Sequence, residues 1–177
     1  MIVGIIGSPV SGKTTLLKSI LKSLGEFTYI TINKDFKCTR FKDILCLGQF
    51  EKGTFSGTDS WRYSTIGTNV FENFIKEQTK NYQHILFEGE RLTPKVKFLI
   101  QNYDTKIFAL RTNEVVEKFR HEDRGIKQNP KWILGRKTMA ENLIKDDLLN
   151  QHIFVRENNT HHDAKTIKDE ILEIVLK

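Results

Sequence analysis

Gly7-Ser8-Pro9-Val10-Ser11-Gly12-Lys13-Thr14-Thr15 places a lysine and two hydroxyls directly behind a glycine-bounded loop, and the loop follows the apolar run at residues 2–6. A loop of this kind turns backbone N–H groups around an anion, and the helix behind it adds its positive N-terminal end. The spacing Gly7-x-x-x-x-Gly12-Lys13-Thr14 therefore reads as a phosphate-binding loop. Residues 7–15 cradle a triphosphate, Lys13 reaches its β- and γ-phosphates, and the Thr14 hydroxyl is a ligand for Mg²⁺. ATP and Mg²⁺ are the cofactors that this chemistry implies.

A second group of reactive side chains stands in His84-Ile85-Leu86-Phe87-Glu88-Gly89-Glu90-Arg91-Leu92, an apolar run ending in two carboxylates and an arginine. An acid at the end of a strand beside the phosphate loop holds Mg²⁺ or orients a nucleophile, and Glu88 fits that place. Glu90 then faces the acceptor and Arg91 its phosphate, unless the two form an ion pair in a solvated turn. Between these segments, residues 47–60 are rich in Gly, Ser, Thr and Phe. Here Phe50 and Phe55 are candidates for stacking on a base, and Asp59 for orienting or deprotonating an acceptor hydroxyl. The plainer alternative is that Asp59 or Ser60 caps a local turn and the two rings pack in the core. Asp35, in Asn33-Lys34-Asp35, competes with Asp59 for the role of base.

Residues 111–137 hold eight cations (Arg111, Lys118, Arg120, Arg124, Lys127, Lys131, Arg136 and Lys137) against four anions (Glu114, Glu117, Glu122 and Asp123). Phosphoryl transfer spreads charge over the transferred oxygens, and a lid bearing arginines neutralises it. Arg120 and Arg124 lie four apart on one helical face and are taken as catalytic, with Arg136 on the nucleotide. Gly125 and Pro130 break the helix, which places the lid at about 120–136. A solvated helix face laced with i, i+4 ion pairs is the alternative.

These side chains need a scaffold that brings strand ends together. Short apolar runs alternating with longer amphipathic stretches predict an α/β fold, a mainly parallel sheet flanked by helices, of the P-loop NTPase, nucleoside monophosphate kinase-like kind. Strands are expected near 2–7, 28–33, 43–48, 84–88, 106–110 and 152–155. Helices are expected at 13–24, 66–80, 94–102, 113–124, 135–149 and 163–176. Leu16, Leu17, Ile20, Leu21 and Leu24 form the inward stripe of the first helix. No repeat or Pro/Gly-rich linker divides the 177 residues, so 1–177 reads as one domain.

Composition narrows the function classes. Hydrophobic residues make up 38% and charged residues 28%, and no apolar stretch approaches the roughly 20 residues of a membrane span. Residues 2–6 run straight into the phosphate loop, so they do not read as a removable signal peptide, and the expected location is the cytoplasm. Cys38 and Cys46 have neither disulfide nor metal-ligand spacing, and His161-His162 reads as turn chemistry. A net charge of +6 with a pI near 9.3 suits a polyanionic partner without specifying one.

Taken in order, the phosphate loop, the Gly48-Gln49-Phe50 to Gly57-Thr58-Asp59 segment, the Leu86-Phe87-Glu88-Gly89-Glu90-Arg91-Leu92 strand end and the Trp132-Ile133-Leu134-Gly135-Arg136-Lys137-Thr138…Asn142 tail resemble the phage 5-hydroxymethyluracil DNA kinases, P-loop kinases of thymidine hypermodification. The similarity runs over residues 2–142. It departs from that pattern at Ser60-Trp61-Arg62-Tyr63-Ser64 and at Glu90, where the family has aspartate. The resemblance implies transfer of the γ-phosphoryl of ATP to the hydroxymethyl oxygen of 5-hydroxymethyluracil in phage DNA. It also implies DNA as partner, no membrane, and an association with other DNA-modification enzymes of the same pathway. Aromatics such as Phe55, Trp61 or Tyr63 then stack on an extruded base. A deoxynucleoside monophosphate kinase acting on free nucleotides is the alternative. A P-loop ATPase or switch is the third reading, and a GTP switch is disfavoured because Leu110-Arg111-Thr112-Asn113 stands where a guanine-selective Asn-Lys-x-Asp belongs.

Overall fold

Ile2–Gly7 (β1) is buried at every position, the mark of a strand covered on both faces. Its side chains alternate between two cores: Ile2 and Ile6 join one, Val3 and Ile5 the other. A computed structural model describes residues 1–50, 57–125 and 129–177, apart from the side chains of Tyr63 and Thr68. Phe55, Lys127 and the ring of Tyr63, all singled out above, lie outside the described residues, as does the middle of the predicted lid.

Seven strands form one sheet. After β1 come Thr28–Ile32 (β2), Phe36–Phe41 (β3), Ile44–Leu47 (β4), His84–Glu88 (β5), Thr105–Arg111 (β6) and Ile153–Glu157 (β7), in the spatial order β2-β3-β4-β5-β1-β6-β7. β4, β5, β1, β6 and β7 are mutually parallel, and β2 and β3 are an antiparallel extension at one edge. The helices are Lys13–Leu24 (α1), Thr68–Asn81 (α2), Val96–Asn102 (α3), Glu114–Arg124 (α4), Pro130–Ile144 (α5) and His161–Val175 (α6). Leu16, Leu17, Ile20, Leu21 and Leu24 of α1 pack with Ile167, Ile171 and Val175 of α6 on one face of the sheet. Phe71, Phe74 and Ile75 of α2 pack with Val96, Leu99 and Ile100 of α3 on the other. This is the α/β P-loop NTPase fold expected from the sequence. Among the described residues no helix is long and apolar enough to cross a membrane.

Three expectations are corrected. β3 was not anticipated: residues 34–42 carry Lys34, Lys37, Arg40 and Lys42, which mask its alternation, yet Phe36 and Cys38 turn inward against the core. The loop that joins it to β2 holds Asn33 and Lys34 at φ 51° and 65°, the left-handed conformation that hairpin loops require. Pro130 does not break the lid helix but begins it. Proline suits the first helical turn, where its missing N–H is unneeded, and the Asn129 side chain caps the helix by accepting from Lys131 N at 2.9 Å. The helix consequently spans 130–144 rather than 135–149.

β1 lies between β5 and β6, so the chain changes sides of the sheet there. In open α/β sheets that point, at the carboxyl ends of the strands, is where ligands bind.

Candidate active site

Gly7 closes β1 at φ 148°, and residues 8–12 wrap back to start α1 at Lys13. Lys13 is 7% exposed; its ammonium donates to Gly7 O at 3.1 Å and Ser8 O at 2.7 Å, and lies 3.6 Å from Glu90 Oε1. The lysine thus points back into the mouth of the loop. The Thr14 hydroxyl donates to Glu88 Oε1 at 3.1 Å. Thr15, one residue on, is exposed on α1.

Glu88 ends β5 next to β1, across from Ile5. It is 3% exposed, and burial pushes its carboxyl up to about 7; Asp59 and Glu90 push the same way, while Lys13 and the Thr14 hydroxyl oppose. A buried carboxyl so poised, bonded to the loop hydroxyl, is a hard-oxygen pair suited to Mg²⁺, which binds through few protein ligands and shares its shell with phosphate and water. Among the described residues no group of three His, Cys, Asp or Glu forms a self-sufficient metal cage. Thr14 and Glu88 therefore fit a Mg²⁺ that arrives with a triphosphate.

The segment bearing Asp59 is laid against Glu88 by a close backbone approach. Gly57 adopts φ 63°, and a Cβ there would collide with Glu88 Oε1. Gly57 N donates to Gln49 O at 2.9 Å, which closes the base of the 48–57 loop, and the Thr58 hydroxyl donates to Glu88 O at 3.0 Å. Asp59 then sits in a single turn of 3₁₀ helix, Thr58–Ser60, with Oδ1 3.6 Å from Arg91 Nε. Burial raises its carboxyl above the ordinary range, against the pull of Arg91, Lys13, Arg136 and Arg124. Glu90 is raised for the same leading reason and spans two cations, Lys13 at 3.6 Å and Arg136 Nε at 3.8 Å. Among the described residues, Asp59, Glu88 and Glu90 thus gather at the phosphate-loop end of the sheet with Lys13, Arg91 and Arg136. Arg91 also donates to Trp61 O, so it braces the turn that carries Asp59 as well as pairing with it.

The lid residues divide. Asn113 caps α4, accepting from Val116 N at 2.9 Å, and Gly125 ends it at φ 65°. Arg120 reaches from this helix to Val10 O at 3.3 Å, so it touches the phosphate loop. Arg124, one turn on, is exposed and meets Asp59 only through its field. Arg136 of α5 lies against the Trp132 ring at 5.5 Å and faces Glu90. Lys137 pairs with Glu117 at 2.7 Å and Arg111 with Glu141 through two contacts of 3.0 and 2.7 Å, so these cations hold the two lid helices to each other and to β6. A cavity of about 370 Å³ remains beneath them, bordered by Gly7, Ser8, Thr112 and Lys137.

Other candidates do not reach the site. Phe50 is 7% exposed and packs with the α1 core, not on a ligand face. Trp61 is 2% exposed; it meets Phe36 at 5.1 Å and Phe74 at 5.9 Å edge-on, and its indole donates to Lys37 O at 2.6 Å. Neither ring is available to stack on a base. Asp35 sits in the β2–β3 loop just before β3, three strands from β1 in the sheet order, roughly 14 Å at the usual strand spacing. Of Asp35, Asp59 and Glu90, the last two are brought to the phosphate-loop end of the sheet, Glu90 in contact with Lys13 and Asp59 with Arg91. The sequence reading passed over Thr58, whose hydroxyl pins the turn, and Asn158, whose side chain reaches the loop from the far end of the chain.

No family model matches the sequence, and no curated protein does. Among solved structures, shikimate kinase from Bacteroides thetaiotaomicron is similar over 100% of this chain and 99% of its own, at 13% identity and a TM-score of 0.47. At that distance neither its substrate nor its residue roles transfer. The chain has the α/β P-loop NTPase fold, with the phosphate loop, the strand-end carboxylates and Arg120 and Arg136 of the following helices arranged around one another.

Proposed function

We propose that the protein transfers the γ-phosphoryl group of ATP to an alcohol, and that the alcohol is the hydroxymethyl group of 5-hydroxymethyluracil in DNA. The observation that carries the transfer reading is Asp59: a second carboxylate, apart from the Thr14–Glu88 pair, held beside the phosphate loop among Lys13, Arg91 and Arg136. An alcohol acceptor must be aligned and must give up a proton late in the transfer, and Asp59 is the group assigned to both in this reading. The order of motifs that resembles the 5-hydroxymethyluracil DNA kinases supports the choice of alcohol, and the charge of +6 suits DNA.

In this reading the loop amides and Lys13 hold the β- and γ-phosphates, and Thr14 and Glu88 hold Mg²⁺. Bound there, the ion neutralises phosphate charge as it develops. Asp59 orients the hydroxyl and accepts its proton. Arg120 and Arg136 face the loop from the lid, and Arg124 reinforces the field. The target base leaves the stack at a cost of a few kcal/mol. Exposed Arg62 and the residues around the turn then meet the strand.

The test offers γ-labelled ATP and Mg²⁺ with DNA containing 5-hydroxymethyluracil, with thymine DNA, and with free deoxynucleoside monophosphates in parallel. Label on the modified DNA alone is the expected result. Label on a free nucleotide reassigns the protein to monophosphate kinases, and phosphate release without labelled DNA makes it an ATPase.

A further inference from the structure

Asn158 directly follows the last strand of the sheet and lies 147 residues from Ser11 of the phosphate loop in sequence, yet it is 2% exposed and in direct contact with that loop. Its Nδ2 donates to Ser11 O at 2.7 Å. Its own backbone N–H donates to Arg111 O at 2.8 Å, which fixes it to the end of β6. The side chain therefore has a rigid base from which to hold the loop. Gly12, the next residue, has φ 92°, and a Cβ on it would lie 2.5 Å from Asn158 Nδ2. The second glycine of the motif is thus required in this fold partly to admit the asparagine. Asn158 Oδ1 is buried and has no hydrogen-bond partner among the described residues, so it is the donor half of the amide that contributes at this position.

In a trans peptide the carbonyl and the following N–H point in opposite directions. A donor that holds the Ser11 carbonyl on the Asn158 side must turn the Gly12 N–H to the other. We infer that Asn158 is a positioning residue for the phosphate cradle: it fixes the Ser11–Gly12 peptide so that the Gly12 N–H faces the bound phosphates. It acts through the backbone and touches neither the base nor the acceptor. The inference rests on the reading that the loop binds a triphosphate and is independent of which alcohol receives the phosphoryl group.

The test is binding of ATP, ADP, pyrophosphate and adenosine to the wild-type protein, Asn158→Asp and Asn158→Ala, with thermal melting of each as control. Asn158→Asp keeps the shape, removes the donor and puts an acceptor against the Ser11 carbonyl. The expected result is at least about a tenfold loss of affinity for ATP, ADP and pyrophosphate in both variants, larger in Asn158→Asp. Adenosine should bind each folded variant as it binds wild type, and KM for ATP should rise more than kcat falls. Equal weakening of adenosine and ATP overturns the proposal by making Asn158 a reader of the base. Unchanged pyrophosphate affinity in a variant that melts like wild type, or at a temperature where a destabilised variant is still folded, also overturns it. Failure of the wild-type protein to bind any phosphate ligand removes the underlying reading of the loop instead.

Discussion

The side chains around the loop make predictions that single substitutions test. Glu88 carries its proton in the ligand-free protein up to about pH 7, because burial outweighs Lys13 and Thr14. A carboxyl raised in the folded state adds stability that is whole below its unfolded value near 4.5 and is lost as pH climbs through 7. Without Mg²⁺, wild-type stability should therefore fall between those pH values by an amount on the order of 3 kcal/mol, and Glu88→Gln should flatten this fall. Denaturant melts in EDTA across that range measure it. Mg²⁺ needs the ionised form, so its apparent affinity in the presence of ATP should rise with pH through about 7. A pH-independent affinity would contradict Glu88 as a ligand. Lys13→Ala should abolish transfer, and since the lysine also satisfies Gly7 O, Ser8 O and Glu90, some loss of stability should accompany it. Asp59→Asn should lower kcat by about 10² to 10⁴ while ATP affinity changes little; an unchanged kcat would leave the turn with a structural role only.

At the scale of elements, the turn carrying Asp59 depends on Trp61 as its anchor in the core. Trp61→Ala should destabilise the protein by about 3–5 kcal/mol, and Trp61→Phe by much less, as measured by urea melts. A neutral Trp61→Ala that loses only DNA affinity would return the ring to the binding surface. Asn129→Ala should cost about 1 kcal/mol through the lost cap of α5. The strand, loop and helix at residues 2–24 were legible because motif, apolar run and helical stripe coincide, and Glu88 was legible from its place at the end of an apolar run. The hairpin strand β3 was not, because Lys37 and Arg40 within it stay exposed to water and interrupt the apolar pattern. Trp61 and Phe50 misled for a related reason. An aromatic in a polar, glycine-rich segment has the same local signature whether it meets a base or turns into the core, and only the Phe36 and Phe74 rings show which. Asn158 carried no signal at all, since its partner at Ser11 is distant in sequence and the bond exists only once β7 is docked beside β6.

For the whole molecule, one sheet unites the parts: the phosphate loop, Glu88 and Asn158 stand at the carboxyl ends of β1, β5 and β7. The basic charge then has a consequence separable from ATP chemistry. Binding of long DNA through several Lys and Arg contacts should weaken steeply with added salt, whereas ATP affinity should change far less. Parallel titrations that fall together would argue against an extended DNA contact. The most direct measurement is the identity of the phosphorylated atom. DNA containing 5-hydroxymethyluracil is incubated with the protein, ATP and Mg²⁺, digested by nucleases to nucleoside 3′-monophosphates without a phosphatase step, and analysed by mass spectrometry and phosphorus NMR. The expected product carries one phosphoryl group on the hydroxymethyl oxygen of the base. Phosphate found at the 5′ hydroxyl of the strand, or released only as inorganic phosphate, would contradict it.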